Sequence, residues 1–228
     1  MKRLQKIMSS FLSVAALLLL SAIGCAPLYP TVISLPIRDN FSEKYCGWVT
    51  GEDDVFSYGC DQGAYRFRIK KALPAMVLKG PVVRSSVVSA EVDATVVSGM
   101  GTEPGKARLG IGCIYDEKRG YAAIINTDGS WAIMRFDGSQ FIQLAGTDEP
   151  GQIPGLGRTN RLRIVCDDKG MFVATNSTIS FFVNGNKVGS AESTKPPYGE
   201  QYRGFMLWTH TLPGEVAFER FVADRGAE

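Results

Sequence analysis

Histidine is nearly missing from this chain: His210 is the only one among 228 residues. Sites that need two imidazoles are therefore excluded. A Ser-His-Asp triad would have to be built on His210, and no Gly-x-Ser-x-Gly elbow accompanies it. An excess of charge of one sign is missing too. Lys and Arg number 25 against 23 Asp and Glu, and without Lys2, Arg3 and Lys6 at the start the balance is 22 to 23. This excludes the basic footprint of a nucleic-acid partner and any strong pull toward anionic lipid. Helical periodicity is scarce, and Gly110-Ile111-Gly112 falls inside a strand pattern rather than before a helix, so it is no phosphate loop. The one long apolar run, Ile7 to Ile23, is interrupted by Ser9, Ser10, Ser13 and Ser21. Its unbroken part is shorter than the roughly 20 residues that a membrane span needs.

That run follows a basic start, Met1-Lys2-Arg3-Leu4-Gln5-Lys6, and ends in Leu17-Leu18-Leu19-Leu20-Ser21-Ala22-Ile23-Gly24-Cys25. The stretch resembles the lipobox of a bacterial lipoprotein. The resemblance implies a signal peptide over 1–24, cleavage before Cys25, a diacylglycerol on its thiol, and a chain anchored in a bacterial membrane on the extracytoplasmic side of the cell envelope. Ala22 stands where leucine is commonest, which leaves an uncleaved anchor as the alternative. Residues 25–36, with Pro27, Pro30 and Pro36, read as the lipidated cysteine and a tether, or as a tether ending in an edge strand at Val32 to Leu35. The domain proper is expected over 37–228.

Without Cys25, four cysteines remain: Cys46, Cys60, Cys113 and Cys166. In an oxidising compartment an even count reads as two bridges, with three pairings open and four buried free thiols as the competing reading. Strand phase favours one pairing. Cys113 shares a face with Leu109 and Ile111, and Cys166 with Leu162 and Ile164, so both thiols point coreward, on strands expected to be neighbours. Cys113 with Cys166 is the preferred bridge, and Cys46 with Cys60 across a local hairpin.

Beyond Ile37 the pattern is strand, turn, strand. Tyr65, Phe67 and Ile69 alternate with Arg66 and Arg68. In Val88 to Val96 the Val and Ala positions face in, and Ser89, Glu91, Asp93 and Thr95 face out. Hairpins are expected from Tyr121 to Leu144, turning at Asp128-Gly129 and Asp137-Gly138 in type I′ geometry. Another is expected at Asn184-Gly185-Asn186, and two late strands at Gly204 to Thr209 and Glu215 to Val222. Many short strands without βαβ units make the fold class all-β, a two-sheet antiparallel sandwich.

Several phrases occur in a familiar order: Asp39-Asn40-Phe41-Ser42 then Gly47-Trp48; Gly63-Ala64-Tyr65; Gly110-Ile111-Gly112-Cys113; Gly120-Tyr121 leading to Asp128-Gly129-Ser130-Trp131-Ala132-Ile133; Asn160-Arg161-Leu162; Phe182-Val183-Asn184-Gly185; Ala217-Phe218-Glu219-Arg220-Phe221. The chain from Asp39 to Val222 resembles the concanavalin A-like lectin and glucanase superfamily, in the laminin-G-like branch that includes 3-keto-disaccharide hydrolase-type domains. The resemblance implies a jelly roll with a curved sheet whose concave face holds sugars in relatives. These motifs are turns and core aromatics, and fold does not carry function with it.

Glucanases of that superfamily use a Glu-x-Asp-x-x-Glu strand, with one carboxylate attacking and another protonating. Glu91-Val92-Asp93 begins like it, but Ala94, Thr95 and Val96 follow and the second acid is missing. No catalytic residue is assigned, and the pair reads as a solvated strand face. Calcium between loops is a further reading on Asp53-Asp54 and Asp167-Asp168, neither a complete ligand loop; no other cofactor is expected. Sugars stack their CH faces on aromatic rings and hydrogen-bond planar polar groups. Tyr121, Trp131 and Trp208 lie in strands beside Arg135, Asn126 and His210. Ala132, Met134 and Phe136 make the better core face, which turns Trp131 and Arg135 to solvent. Trp131, Arg135, Tyr121 and Trp208 are therefore the candidate ligand residues, against the plainer reading of packing tryptophans; Trp48 is expected to be structural. The sequence thus reads as a membrane-anchored, non-catalytic glycan-binding or interaction sandwich. A glycoside hydrolase and a structural module without a sugar site are the alternatives.

Overall fold

The computed structural model describes residues 32–33, 35–42, 48, 50–71, 76–84, 87–98, 108–115, 119–138, 140–153, 158–168, 177–194, 202–210 and 213–225. For 32–33, 76–79, 81–84, 87, 168 and 202–210 it describes the backbone course alone. The leader, Cys25 and Cys46 lie outside these residues.

Every described element is a strand. In chain order they are β1 (Val32–Ile33), β2 (Ile37–Asp39), β3 (Gly51–Glu52), β4 (Phe56–Asp61), β5 (Ala64–Ile69), β6 (Met76–Arg84), β7 (Val87–Ser98), β8 (Arg108–Ile114), β9 (Arg119–Asn126), β10 (Trp131–Asp137), β11 (Gln140–Thr147), β12 (Asn160–Asp168), β13 (Ser177–Val183), β14 (Asn186–Ser193), β15 (Tyr202–His210) and β16 (Gly214–Asp224). They form two sheets. The seven-stranded sheet has the order β1-β6-β15-β8-β9-β10-β11, and the nine-stranded sheet β14-β13-β12-β7-β16-β5-β4-β3, with β2 alongside β16. Pairing is antiparallel, as in β8-β9-β10-β11 and β7-β12-β13, except that β1 runs parallel to β6. Val32 and Ile33 thus belong to a sheet, and the expected tether is strand at its C-terminal end.

Between the sheets lies one core, built from the inward phase of each strand: Tyr65, Phe67 and Ile69; Val88, Ala90, Val92 and Ala94; Leu109, Ile111 and Cys113; Leu162, Ile164 and Cys166. The Cys113–Cys166 disulfide spans it. The pairing is the one phase favoured, but the strands are not neighbours. β8 and β12 lie in different sheets, and the bridge ties one to the other across the core. Cys60 is disulfide-bonded as well; its expected partner, Cys46, lies outside the described residues.

A second apolar cluster, Ile114, Ala122, Ile124, Ala132 and Phe136, occupies the opposite face of the seven-stranded sheet. Here the sequence expectation is reversed. Ile133 is fully buried between the sheets, and Trp131 and Arg135 share its inward phase. Both faces of β10 are apolar, so alternation alone cannot choose between them. The choice is made by the other sheet, where Gly189 leaves the slot that the Trp131 ring fills: a Cβ on Gly189 would stand 2.1 Å from Trp131 Cη2.

Turn chemistry divides. At the expected Asn184-Gly185-Asn186 hairpin, Asn184 (φ 53°) and Gly185 (φ 83°) form a two-residue type I′ turn, with Asn186 already paired to Val183. At Asp128-Gly129 only the glycine has positive φ (83°), and Asn126 N donates to Ser130 O at 2.9 Å, so this is a longer turn than type I′. Asp128 orders it by accepting from the Ser130 amide and hydroxyl at 2.9 and 2.7 Å.

Candidate functional site

Solvent meets the nine-stranded sheet through the outward phase of β4, β5, β16, β7, β12 and β13. On β7 that phase carries Ser89, Glu91, Asp93 and Thr95, the face read from sequence as solvated. Two of the four are covered instead: Asp93 is 4% exposed and Ser89 3%, while the Glu91 side chain keeps 35% of its exposure. Arg161 Nε donates to Asp93 Oδ1 at 2.9 Å and lies 3.6 Å from Glu91 Oε1. Arg220 Nη2 reaches the other Asp93 oxygen. Arg163 donates to Ser89 Oγ at 2.8 Å and lies over the Phe182 ring at 5.4 Å.

Arg220 gets there through a bulge. Glu219 pairs with Asp93 and Val222 with Glu91, so Arg220 and Phe221 together oppose Val92. Arg220 takes φ 50°, which lets two consecutive side chains part: Arg220 to the outer carboxylate, Phe221 into the core. A carboxylate held between two guanidinium groups is an acceptor already in use, and it is poorly placed to serve as nucleophile or proton donor.

At the β3 edge of the same sheet the outer face opens into a trough of about 290 Å³, lined by Gly51, Glu52, Ser57, Tyr58, Gly59, Cys60, Asp61, Arg66 and Arg68. Alternation on β5 turns Arg66 and Arg68 to this side, and pairing with β16 sets Glu215 directly opposite Arg68. Glu215 receives Arg66 Nη1 at 2.6 Å and Arg68 Nε at 3.0 Å, while Arg68 Nη2 reaches Asp61 at 3.1 Å. The trough is open: the side chains of Arg68 and Asp61 are 48% and 44% exposed. Its walls carry two arginines and two carboxylates, and its floor holds two glycines. It can therefore exchange hydrogen bonds with a polar ligand of little net charge.

Partial burial works to raise the Glu215 pKa, but the hydrogen bonds from Arg66 and Arg68 outweigh it and hold the carboxyl below its ordinary 4.5. A depressed folded-state value means that Glu215 lends its full stabilisation above the unfolded value and loses it as pH falls through the folded one. Thermal midpoints taken from pH 7 down to pH 3 are expected to drop on the acid side. In Glu215→Gln that drop should be shallower, with a lower midpoint than wild type at pH 7.

The four ligand candidates from sequence do not meet on one open surface. Tyr121 is fully buried in the core, edge-on to Tyr115 at 5.6 Å. Trp131 lies between the sheets, 6.4 Å from the Phe181 ring, and Arg135 Nη1 lies 3.4 Å from Ser193 Oγ. Trp208 pairs with Gly110 in the row of Ile124 and Ala132, a row that alternates with that of Trp131; its side chain and that of His210 lie outside the description. Asn126 donates to Ser130 Oγ at 2.6 Å. Asp53 caps a turn by accepting from the Val55 and Phe56 amides at 2.7 and 2.9 Å. Among the described residues no cluster of His, Cys, Asp and Glu could hold a metal ion. What sequence reasoning missed is the arginine set. Arg66 and Arg68 were legible as outward, but their partners on β4 and β16 are not sequence neighbours.

Neither a protein-family model nor a curated protein sequence matches this chain. Solved structures do match, at the level of fold. A Bacillus subtilis protein of unknown function with a galectin-like fold aligns with TM-score 0.57 and 11% identity over 83% of this chain and 94% of its own. The alginate lyase Aly36B, solved with an alginate tetrasaccharide, aligns with TM-score 0.57 and 8% identity over 86% and 98%. The Emp46p carbohydrate recognition domain aligns with TM-score 0.55 and 10% identity over 80% and 90%. The domain is therefore a galectin- and concanavalin A-like β-sandwich. At these identities the likeness defines the fold and leaves the activity to the site.

Proposed function

We propose that this protein is a non-catalytic glycan-binding module held at the outer surface of a bacterial membrane through acylated Cys25, with the trough of the nine-stranded sheet as its sugar site. The observation that carries the reading is the open, charge-balanced trough around Arg66, Arg68, Asp61, Glu52 and Ser57 on a lectin-like sandwich. Guanidinium and carboxylate groups offer paired donors and acceptors to vicinal hydroxyls, and the balance of charge favours a neutral sugar over a uronate or phosphate. The binding of Asp93 by Arg161 and Arg220 supports binding without turnover.

Two experiments test the two halves. A glycan array probed with the purified protein is expected to return neutral oligosaccharides; an array without a single bound glycan removes the sugar reading. Metabolic labelling with a tagged fatty acid, followed by detergent-phase partition, is expected to mark the wild-type chain and leave Cys25→Ser unlabelled. Equal labelling of both would remove the anchor at Cys25.

A further inference from the structure

Where β10 faces β14, the space between the sheets carries polar groups that the trough does not use. Ile179, Phe181 and Val183 keep the inward phase of β13 apolar, but the same phase ends in Ser177, and Ser193 of β14 pairs with it. Both serines are buried, at 0% and 2% exposed. From the other sheet Arg135 enters the same place, with Nη1 3.4 Å from Ser193 Oγ, and Tyr121 stands directly opposite Arg135 on the β9–β10 ladder. Tyr121 is fully buried and its hydroxyl has no hydrogen-bond partner. Arg135 Nε is likewise buried and without a partner, although the residue as a whole is only half-buried. The long contact to Ser193 is the one polar contact of its guanidinium, and among the described residues no carboxylate pairs with it.

We infer that Arg135, Tyr121 and Ser193 form a binding site for a small carboxylate anion between the two sheets. Electrostatics select the sign. A guanidinium does not give up its proton, so burial cannot neutralise it as it can a lysine. A positive charge at the rim of an apolar core is stabilised by an anion that accepts its hydrogen bonds. The donors select the class. Nε and one terminal nitrogen of Arg135 make a planar fork that matches the two oxygens of a carboxylate, and the hydroxyls of Tyr121 and Ser193 can each donate one bond more. The neighbours select the size. Cys113 stands opposite Tyr121 and Ile142 opposite Arg135, so the polar groups are flanked by apolar ones, which suits formate or acetate better than a sugar acid. The trough differs in kind, because Arg66 and Arg68 are already held there by Glu215 and Asp61.

The test titrates isotope-labelled formate into the full chain in detergent, with sodium chloride withdrawn in step to hold ionic strength constant. The formate carbon resonance is followed by NMR, and the thermal midpoint is taken in parallel. Saturable binding is expected, with a midpoint that rises as formate replaces chloride. Tyr121→Phe should weaken binding about tenfold, the loss of one charge-assisted hydrogen bond, and Arg135→Met should abolish it. Without formate, Tyr121→Phe should melt no lower than wild type, since it deletes a buried hydroxyl that has no partner. That result also shows that the variant folds. A midpoint indifferent to formate, binding that both variants retain in full, or a Tyr121→Phe protein that melts well below wild type without formate would overturn the inference.

Discussion

Replacing Cys113 and Cys166 together by alanine is expected to destabilise the domain by about 4 kcal/mol, read as a lower denaturation midpoint with little change in native secondary structure. The bridge joins residues 53 apart in sequence, and loop-closure entropy for a ring of that size comes to about 4 kcal/mol in the chain-entropy model. Its position adds a second effect. Both cysteines are fully buried, and they tie β8 of one sheet to β12 of the other. Each sheet keeps its own hydrogen-bond ladder without the bridge, so the loss should fall on sheet-to-sheet packing. Near-ultraviolet dichroism should weaken before the far-ultraviolet β signal does. Burial also predicts that a mild reductant leaves native wild-type protein bridged and cuts the bond only in denaturant. A variant within 1 kcal/mol of wild type, by about the smallest margin that matters here, would show that core packing alone holds the sheets together.

Trp48→Ala should be comparably damaging, about 3–5 kcal/mol for loss of a buried tryptophan. The indole packs 5.6 Å from the Phe41 ring, 5.6 Å from Tyr65 and 4.9 Å from Phe221. Its Nε1 donates to Asp39 Oδ2 at 3.0 Å, while the other Asp39 oxygen receives the Phe41 amide at 2.7 Å. One residue thus joins β2, the bulge of β16 and β5. Trp48→Phe separates the terms: it keeps most of the apolar contact and deletes the hydrogen bond, at an expected cost of about 1–2 kcal/mol. The bulge makes the damage reach the outer face. If Phe221 loses its partner, Arg220 beside it should lose its hold on Asp93. Equal losses for the two variants would place the weight on the hydrogen bond instead of the packing.

Where one strand face is apolar and the other polar, the architecture was legible in the sequence. Tyr65, Phe67 and Ile69 against Arg66 and Arg68 give β5 its span and orientation, and Asn184-Gly185 gives its turn. Cys113 and Cys166 could be paired from phase, but phase says only that a residue points to the core. It does not say from which sheet, and the two strands proved to oppose each other. Trp131 shows the harder limit. Ala132, Met134 and Phe136 are as apolar as Trp131 and Ile133, and the choice rests on Gly189, a residue of the facing sheet. Asp93 depends on Arg220 through a bulge, which breaks the period-2 rule that sequence reading relies on. The trough draws Glu52 from β3, Ser57 to Asp61 from β4, and Arg66 and Arg68 from β5, with Glu215 of β16 holding the arginines. That set exists only once strand order is known, so it could not be assembled from spacing.

Titration of the strongest glycan from the array into wild-type protein and into Arg68→Ala, with the glycan recovered afterwards and weighed by mass spectrometry, bears most directly on the trough as a non-catalytic sugar site. Arg68 is exposed, and Arg66 still serves Glu215 when it is removed, so folding should survive. The expected result is saturable binding to wild type, a loss of about tenfold or more in Arg68→Ala, corresponding to the 1.4 kcal/mol or so of a charge-assisted hydrogen bond, and a glycan of unchanged mass. Undiminished binding to Arg68→Ala would place the site elsewhere, and a cleaved glycan would make the protein an enzyme.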